Sequence, residues 1–218
     1  MDKVRYEEMF PEEFEVAIKK NPVAYLPLGS MEYHGYHNVL GLDSLKAWKI
    51  CELVAKVTGG IVYPPLYLGV DAWSDLDFKK YPNKRFDSYH IPADVYKKLL
   101  KEYFYRIKRI GFKTIFVLCG HYPNTDVARE ASKEFQGLKI IVKTEADLVE
   151  GEKGDHAGVW ETSLMMVLFP QLVDLKRMDG KKNRLMAVDG DDPIKSSRKY
   201  GKAVLIRIIN GIKENLEK

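Results

Sequence analysis

The chain has 218 residues, of which 45% are hydrophobic and 30% are charged. That is enough apolar material for one well-filled core, which excludes a mainly disordered chain. The net charge of +4 comes from 35 basic and 31 acidic residues that are interleaved along the sequence, a balance too mild to indicate a nucleic-acid partner.

Apolar runs alternate along the chain with stretches whose apolar residues recur at helical spacing. Short apolar runs are typical of buried strands, and the amphipathic stretches are typical of surface helices. This alternation predicts an α/β domain whose mainly parallel sheet is covered on both faces. In chain order, the predicted elements are strand 23–28, helix 43–57, strand 61–68, helix 92–110, strand 114–118, helix 124–135, strand 138–142, helix 160–168 and helix 194–216. Pro64 and Pro65 place strand 61–68 at the edge of the sheet or end it early.

The stretch 69–92 is polar, aromatic and proline-bearing, and it shows no clear period. Long irregular segments in a compact domain are usually functional loops. We therefore expect residues 71–89 to shape a ligand pocket, in which Lys84 and Arg85 would attract an anionic group. Solvated loop residues are the alternative that the sequence leaves open.

Composition also indicates the compartment and the domain organisation. The first residues are charged and lack the apolar stretch of a secretory signal, and no segment approaches the roughly 20 apolar residues of a membrane span. The two cysteines lie in apolar surroundings, which favours buried, reduced thiols. We expect a cytoplasmic protein with a single domain over residues 1–218, because no linker or repeat divides the chain.

The side chains suited to chemistry are concentrated in three loops, two of which directly follow a predicted strand. Four of the five histidines lie in these loops, and only His90 lies elsewhere. In the first loop, Glu32 and His34 are two positions apart, so an extended backbone projects both to the same side. With Asp43 at a helix start, they could ligate one or two metal ions. Alternatively, Asp43 caps the helix and the other two are surface residues.

The other two loops carry His121, His156 and Glu161. His121 follows the most apolar predicted strand, where active-site residues collect in α/β sheets. The alternatives are a buried histidine that caps the next helix, a solvated His156, and a Glu161 that only complements a helix dipole. The metal-ligating candidates combine imidazole and carboxylate without cysteine, which suits zinc, manganese or iron. They are Glu32, His34, Asp43, His121 and Glu161.

Taken together, the three loops resemble the signatures of the creatininase family (creatinine amidohydrolase and its relatives). The first signature, G-S-x-E-x-H-G-x-H followed by an aspartate, stands at 29–37 with Asp43. The second, a strand followed by G-H-x-x-N, stands at 120–124, and the third, H-A/G-G-x-x-E-T/V-S, stands at 156–163. All three occur in the family's order, which makes the match more specific than any single motif.

The resemblance implies a three-layer α/β/α sandwich that holds two divalent metal ions per chain, zinc being expected first and manganese or iron next. By the same resemblance, Glu32 and His121 bind one ion, His34 binds the other, and Asp43 bridges both. Glu161 is similar to the acidic residue that completes the second site in many members. His156 matches the histidine that moves protons to the substrate. Homo-oligomers, hexamers or smaller, are usual in the family.

Some positions depart from the family pattern. Creatininase has an acidic ligand two residues after the histidine of the second motif, where this chain has Pro123, so the role would fall to Glu161. The family's F-P-G-T segment is unrecognisable at 81–86, and the tryptophan before the third motif has no counterpart at 151–154. These departures argue against creatinine itself as the substrate.

The residues and the resemblance together predict a metal-dependent amidohydrolase. It would cleave a C–N bond of a small molecule, in an amide, lactam or formamide, with a metal-activated water and with His156 as the catalytic residue. Two alternatives stay open: a deformylase or amidase that acts on a nucleotide-like or peptide substrate, and a catalytically silent metal-binding family member. The expected partner is a small-molecule amide, with no nucleic acid and no membrane.

Overall fold

A computed structural model describes residues 3–71 and 88–218 of the chain. Its strands, in chain order, are β1 (Val23–Leu28), β2 (Ile61–Val62), β3 (Gly69–Val70), β4 (His90–Ile91), β5 (Thr114–Cys119) and β6 (Lys139–Thr144). Four of them form a central sheet in the order β2-β1-β5-β6, in which every neighbouring pair is parallel. The other two, β3 and β4, pair with each other in a small parallel sheet.

Helices cover the central sheet on both faces. In the described part of the chain they are α1 (Pro11–Lys20), α2 (Leu42–Thr58), α3 (Ala93–Ile110), α4 (Asn124–Ser132), α5 (Val159–Leu168) and α6 (Arg198–Glu217). Helices α2, α5 and α6 share one apolar core with Phe116 and Leu118 of β5, whereas α1, α3 and α4 share the other core with Ile115 and Val117. Because alternate residues of a strand point to opposite faces, β5 belongs to both cores. The predicted α/β/α sandwich is confirmed.

Most predicted elements are present, with differences at several boundaries. The predicted strand 61–68 is an edge strand that ends early, at Val62, because Pro64 and Pro65 have no N–H to donate to a ladder. The predicted helix 124–135 ends at Ser132, and the last helix begins at Arg198 rather than at 194. Helix α1 and the β3–β4 sheet were not predicted, since the two strands have only two residues each.

The topology places a crevice at the carboxyl ends of β1 and β5. The chain leaves β1 for α2 on one face of the sheet, and it leaves β5 for α4 on the other face. Loops that diverge from neighbouring parallel strands open a ligand site between them. The first turn of α2 packs against the floor of this crevice, where two glycines leave no room for a side chain. A Cβ at Gly29 would lie 2.3 Å from the Ser44 nitrogen, and a Cβ at Gly120 would lie 2.3 Å from the Asp43 carbonyl oxygen.

The structure describes both cysteines and most of the chain that could contain a membrane span. Cys51 and Cys119 are both buried free thiols, as expected. Within residues 3–71 and 88–218, no helix combines the length and the apolar character needed to cross a membrane.

A buried carboxylate on α2 ties the N-terminal segment to the sandwich. Glu52 Oε2 is 2.8 Å from Nη2 of Arg5 and 2.9 Å from Nζ of Lys49, and Oε1 pairs with Lys56. Burial alone would raise the pKa of Glu52, but the three cationic partners outweigh it and lower the pKa to about 2. The ionised carboxylate is therefore more stable in the folded protein than in the unfolded chain.

We expect Glu52→Gln to lower the free energy of unfolding by about 2 kcal/mol at pH 7. The pKa of this carboxyl is depressed on folding, so its contribution is complete above the ordinary value of 4.5 and is lost as the pH falls toward 2. Urea unfolding at several pH values should show the two proteins converging below pH 4.5. Glu102→Gln, which removes an exposed partner of Arg106, serves as the control and should show no such convergence.

Candidate metal centre

Asp43 lies between the loops that follow β1 and β5, and its carboxylate faces one histidine from each. Oδ1 is 3.1 Å from Nε2 of His34, and Oδ2 is 3.3 Å from Nδ1 of His121. The N-cap position of α2 belongs to Gly41, and Asp43 stands one place inside the helix. Its side chain is therefore directed into the crevice, and the alternative of a helix-capping aspartate was wrong.

Glu32 and Glu161 complete the predicted set from opposite sides. Glu32 Oε1 is 3.1 Å from Nδ1 of His121 and 3.6 Å from Nε2 of His34. Glu161, in the first turn of α5, places Oε2 at 3.8 Å from the same His34 nitrogen. All five metal-ligating candidates thus meet in one buried cluster, although they come from three separate loops.

Each ring of His34 and His121 has an inner nitrogen, which faces the carboxylates, and an outer nitrogen, which faces away from them. The hydrogen bonds of the outer nitrogens fix the orientation of each ring. Nδ1 of His34 lies 3.2 Å from the Glu32 carbonyl oxygen, and Nε2 of His121 lies 3.0 Å from the Val70 carbonyl oxygen. A carbonyl oxygen can only accept, so these nitrogens carry the hydrogen in the neutral rings. The inner nitrogens then present lone pairs toward the carboxylates, as in metal-ligating histidines.

The buried carboxylates of the cluster favour positive charge on the groups around them. Burial would lower the pKa of His34, but the charge of Asp43 outweighs burial and raises the pKa to about 9. Burial opposes protonation of His121 as well, yet its contacts with Asp43 and Glu32 raise the pKa to about 10. Despite its burial, Glu32 has a pKa well below the ordinary value because of its contacts with His121 and His90.

A buried lysine lies behind the cluster. Lys46, three residues after Asp43 on α2, is 0% exposed and places Nζ 2.5 Å from Glu161 Oε1 and 3.5 Å from Glu145 Oε1. The other oxygen of Glu161 accepts a 2.8 Å hydrogen bond from the backbone nitrogen of Ala157. Glu161 is thereby held from two sides. Burial raises the pKa of Glu145 to about 7, although Lys46 acts in the opposite direction.

His156 lies at the wall of the adjoining cavity. Its side chain is 33% exposed, and its ring stacks on that of His34 with centroids 4.4 Å apart. Nε2 is 3.1 Å from the Tyr33 carbonyl oxygen, and Nδ1 is 3.7 Å from Glu32 Oε1. The cavity has a volume of about 320 Å³ and is also lined by Glu32, Asp43, His121 and Glu161. His156 therefore faces both the cluster and the space that a small molecule would occupy.

Comparison with known families agrees with this geometry. The family model for creatininase, described as creatinine amidohydrolase, matches residues 7–211. The chain belongs to the creatininase family. It is therefore a metal-dependent amidohydrolase, and its buried His, Asp and Glu groups are candidate metal ligands.

Individual relatives support the family assignment. Creatinine amidohydrolase of Pseudomonas putida is 29% identical over 185 residues, which cover 72% of this chain and 68% of that protein. A solved creatininase variant of the Zn-Zn type superposes with a TM-score of 0.82 at 24% identity, covering 99% of this chain and 98% of its own. A manganese creatininase superposes with a TM-score of 0.80 at 23% identity, covering 98% and 97%. The two structures confirm the fold.

Sequence reasoning missed three residues that the structure brings to this centre. His90 lies outside the three loops in the sequence, yet its Nε2 is 3.2 Å from Glu32 Oε2. Lys46 carried a signal that was overlooked, since it stands beside Ala47 on the buried side of a helix, where an unpaired lysine is costly. Glu145, which follows β6, had no local signal.

Some expectations fall on residues that the structure does not describe. The predicted pocket segment 71–89, with Lys84 and Arg85, lies outside the described residues except at 71, 88 and 89, and the 81–86 segment lies wholly outside them. Pro123 immediately precedes α4 and lines the cavity beside His121.

We expect Lys46→Met to destabilise the protein by about 3–5 kcal/mol, because it leaves Glu145 and Glu161 buried without their cation. Adding Glu145→Gln to the same chain should restore part of the loss, since one of the two unpaired carboxylates is then gone. Chemical denaturation measures both effects.

Lys98→Met is the matched control for that experiment. Lys98 forms an exposed ion pair with Asp94, and such pairs contribute only about 0–1 kcal/mol. A Lys46→Met variant no less stable than this control would show that the buried ion pairs do not support the fold.

Proposed function

We propose that this creatininase-family chain hydrolyses a C–N bond in a small amide, lactam or formamide. The observation that carries the proposal is the convergence of two imidazoles and three carboxylates in one buried cluster beside a cavity. In this proposal Glu32 and His121 hold one divalent ion, His34 and Glu161 hold the other, and Asp43 contacts both. His156 is the catalytic residue.

The donors of the cluster fit a pair of divalent ions. Oδ2 of Asp43 is buried and has no hydrogen-bond partner among residues 3–71 and 88–218, so the oxygen that faces His121 is left for a cation. Imidazole with carboxylate suits zinc, manganese and iron. Zinc is the first expectation, and zinc and manganese are the metals of the two similar structures.

Bound ions would supply the Lewis acidity that polarises a carbonyl group and lowers the pKa of water. The chain's own residues position the substrate and move the proton. Because Nε2 of His156 faces the Tyr33 carbonyl oxygen, Nδ1 is the nitrogen that accepts a proton and passes it to the departing amine. Stacking on His34 keeps that ring in place.

The cavity limits the size of the substrate. A volume of about 320 Å³ lies at the lower end of the range for small-molecule sites. A cavity of this volume fits a compact cyclic or linear amide.

A deformylase with an anionic, nucleotide-like substrate is the second candidate. Lys153 lines the catalytic cavity and also a neighbouring cavity of about 420 Å³. The anionic part of such a substrate would meet Lys153 at that boundary and Arg129 beyond it. Three acidic residues also line the neighbouring cavity, which is why this candidate ranks second: Asp126, Asp147 and Glu152. The proton-transfer position of His156 argues against the other alternative, a catalytically silent family member.

The remaining features of the proposal concern the whole protein. We propose one domain over residues 1–218, which the two continuous cores support. We also propose a cytoplasmic homo-oligomer, a hexamer or smaller, with a small-molecule partner and with neither nucleic acid nor membrane. Sedimentation of the purified protein tests the assembly.

Metal analysis paired with hydrolysis assays tests the activity. We expect two divalent ions per chain and turnover of at least one compound in a panel of creatinine, other cyclic amides and formamides. Glu32→Gln should lower the metal content, and Asp43→Asn should lower it more, because Asp43 contacts both ions. Asp94→Asn is the control, since Asp94 also stands in the first turn of a helix but is exposed. A wild-type content clearly below two ions would contradict the dinuclear proposal.

His156→Ala should keep both ions and lose about 10²–10⁴-fold in turnover number, because only the proton carrier is removed. Metal content and steady-state rates are measured on the same preparation, so loss of metal cannot be mistaken for loss of catalysis. An undiminished rate would remove His156 from the mechanism.

A further inference from the structure

The small β3–β4 sheet brings a third histidine to the cluster. His90, the first residue of β4, places Nε2 3.2 Å from Glu32 Oε2, while Glu32 Oε1 contacts His121. Ligand atoms of Glu32, His90 and His121 all lie within 4.8 Å of one another. That spacing permits the three groups to contact one ion.

The inner nitrogen of His90 is buried without a hydrogen-bond partner. Despite the short distance to Glu32, Nε2 makes no hydrogen bond to any residue in 3–71 or 88–218. Nε2 and Glu32 Oε2 nevertheless lie 3.2 Å apart, so the two ligand atoms are directed to the same place. Asp43 Oδ2 is a second such atom in the same cluster, and it faces His121.

The outer nitrogen of His90 faces a carboxylate. Nδ1 is 3.7 Å from Asp71 Oδ1. Metal-ligating histidines commonly direct their second nitrogen to a carboxylate or a carbonyl oxygen, which sets the tautomer. The corresponding nitrogen of His121 makes a 3.0 Å hydrogen bond to the Val70 carbonyl oxygen, whereas that of His90 is further from its carboxylate.

The backbone fixes His90 in this position. The Gly69 nitrogen donates to the Tyr89 carbonyl oxygen, and the Tyr89 nitrogen donates to the Met31 carbonyl oxygen, each at 2.9 Å. The strand is therefore bonded to the residue just before Glu32. Gly69 also approaches His121 so closely that a Cβ there would lie 2.8 Å from the ring. The β3–β4 sheet therefore packs directly against the ring of His121.

We propose that His90 is a ligand of the ion that Glu32, Asp43 and His121 hold. This inference rests on the proposed function, because it presupposes that an ion binds there. Two imidazoles with two carboxylates are a donor set that favours zinc over magnesium and calcium.

The competing role is that of a positioning residue that donates a hydrogen bond to Glu32. The variants His90→Ala and His90→Gln separate the two roles. Glutamine keeps an N–H donor but is a poor metal ligand, so it should rescue a positioning role and fail to rescue a ligand. Tyr89→Phe is the matched control, because Tyr89 is the exposed neighbour of His90.

Cobalt(II) titration of the full chain provides the readout. We expect both His90 variants to bind one of the two ions about 100-fold or more weakly than the wild type, because losing a direct ligand costs at least as much as losing an outer partner. The visible d–d bands of the cobalt protein should shift in both variants and stay unchanged in Tyr89→Phe. Wild-type affinity and wild-type bands in His90→Gln would overturn the proposal.

X-ray absorption of the zinc-loaded wild type keeps the proposal testable if the variants fail to fold. We expect the spectrum to contain three metal-bound imidazoles per chain, one more than His34 and His121 supply. The spectrum of His156→Ala is measured as well, so that the extra imidazole cannot be that of His156. Scattering from only the rings of His34 and His121 would overturn the assignment of His90. The outcomes that contradict the two proposals are different. A wild-type chain that binds fewer than two ions contradicts the proposed function. A chain that binds two ions equally well with and without His90 contradicts only the assignment of His90 as a ligand.

Discussion

Burial of negative charge at one edge of the sheet is the constraint on which the centre depends. Carboxylates are stable in a protein interior only when they are paired with positive charge or bound to metal. Lys46 supplies one fixed positive charge, but it contacts Glu161 and Glu145 rather than Glu32 or Asp43. Those two carboxylates face imidazoles, so either the rings become protonated or cations enter. Divalent ions, bound as proposed, would satisfy the carboxylates and leave the rings neutral, as ligands.

The fold delivers these groups through close backbone approach. Gly29 and Gly120 end the two central strands, and neither has room for a side chain, because the first turn of α2 packs against both. Asp43 reaches the two histidine loops only because the helix comes this near. A shift of that helix would separate the aspartate from both rings. The geometry of the cluster therefore depends directly on the packing of α2.

Sequence patterns predicted the long elements and the five candidate ligands, because both depend on local signals. Strand β5 and helix α3 have clear periodicity, and the motif around His34 has a specific spacing. The missed features depend on contacts between distant segments. Lys46 is explained only by Glu145 and Glu161, which lie about a hundred positions away, and His90 is explained only by the two-residue strand that seats it. The predicted strand at 61–68 is shorter than its apolar content suggests, because the prolines end it.

The order of the donors along the chain has a consequence for biosynthesis. Glu32, His34, Asp43 and His121 are all translated by the end of β5, whereas Glu161 follows only with α5. A single domain generally folds as a unit, and its synthesis proceeds from the N-terminus. The proposed donor set is therefore complete only after α5 has been synthesised, so the two proposed ion sites would form together, late in synthesis.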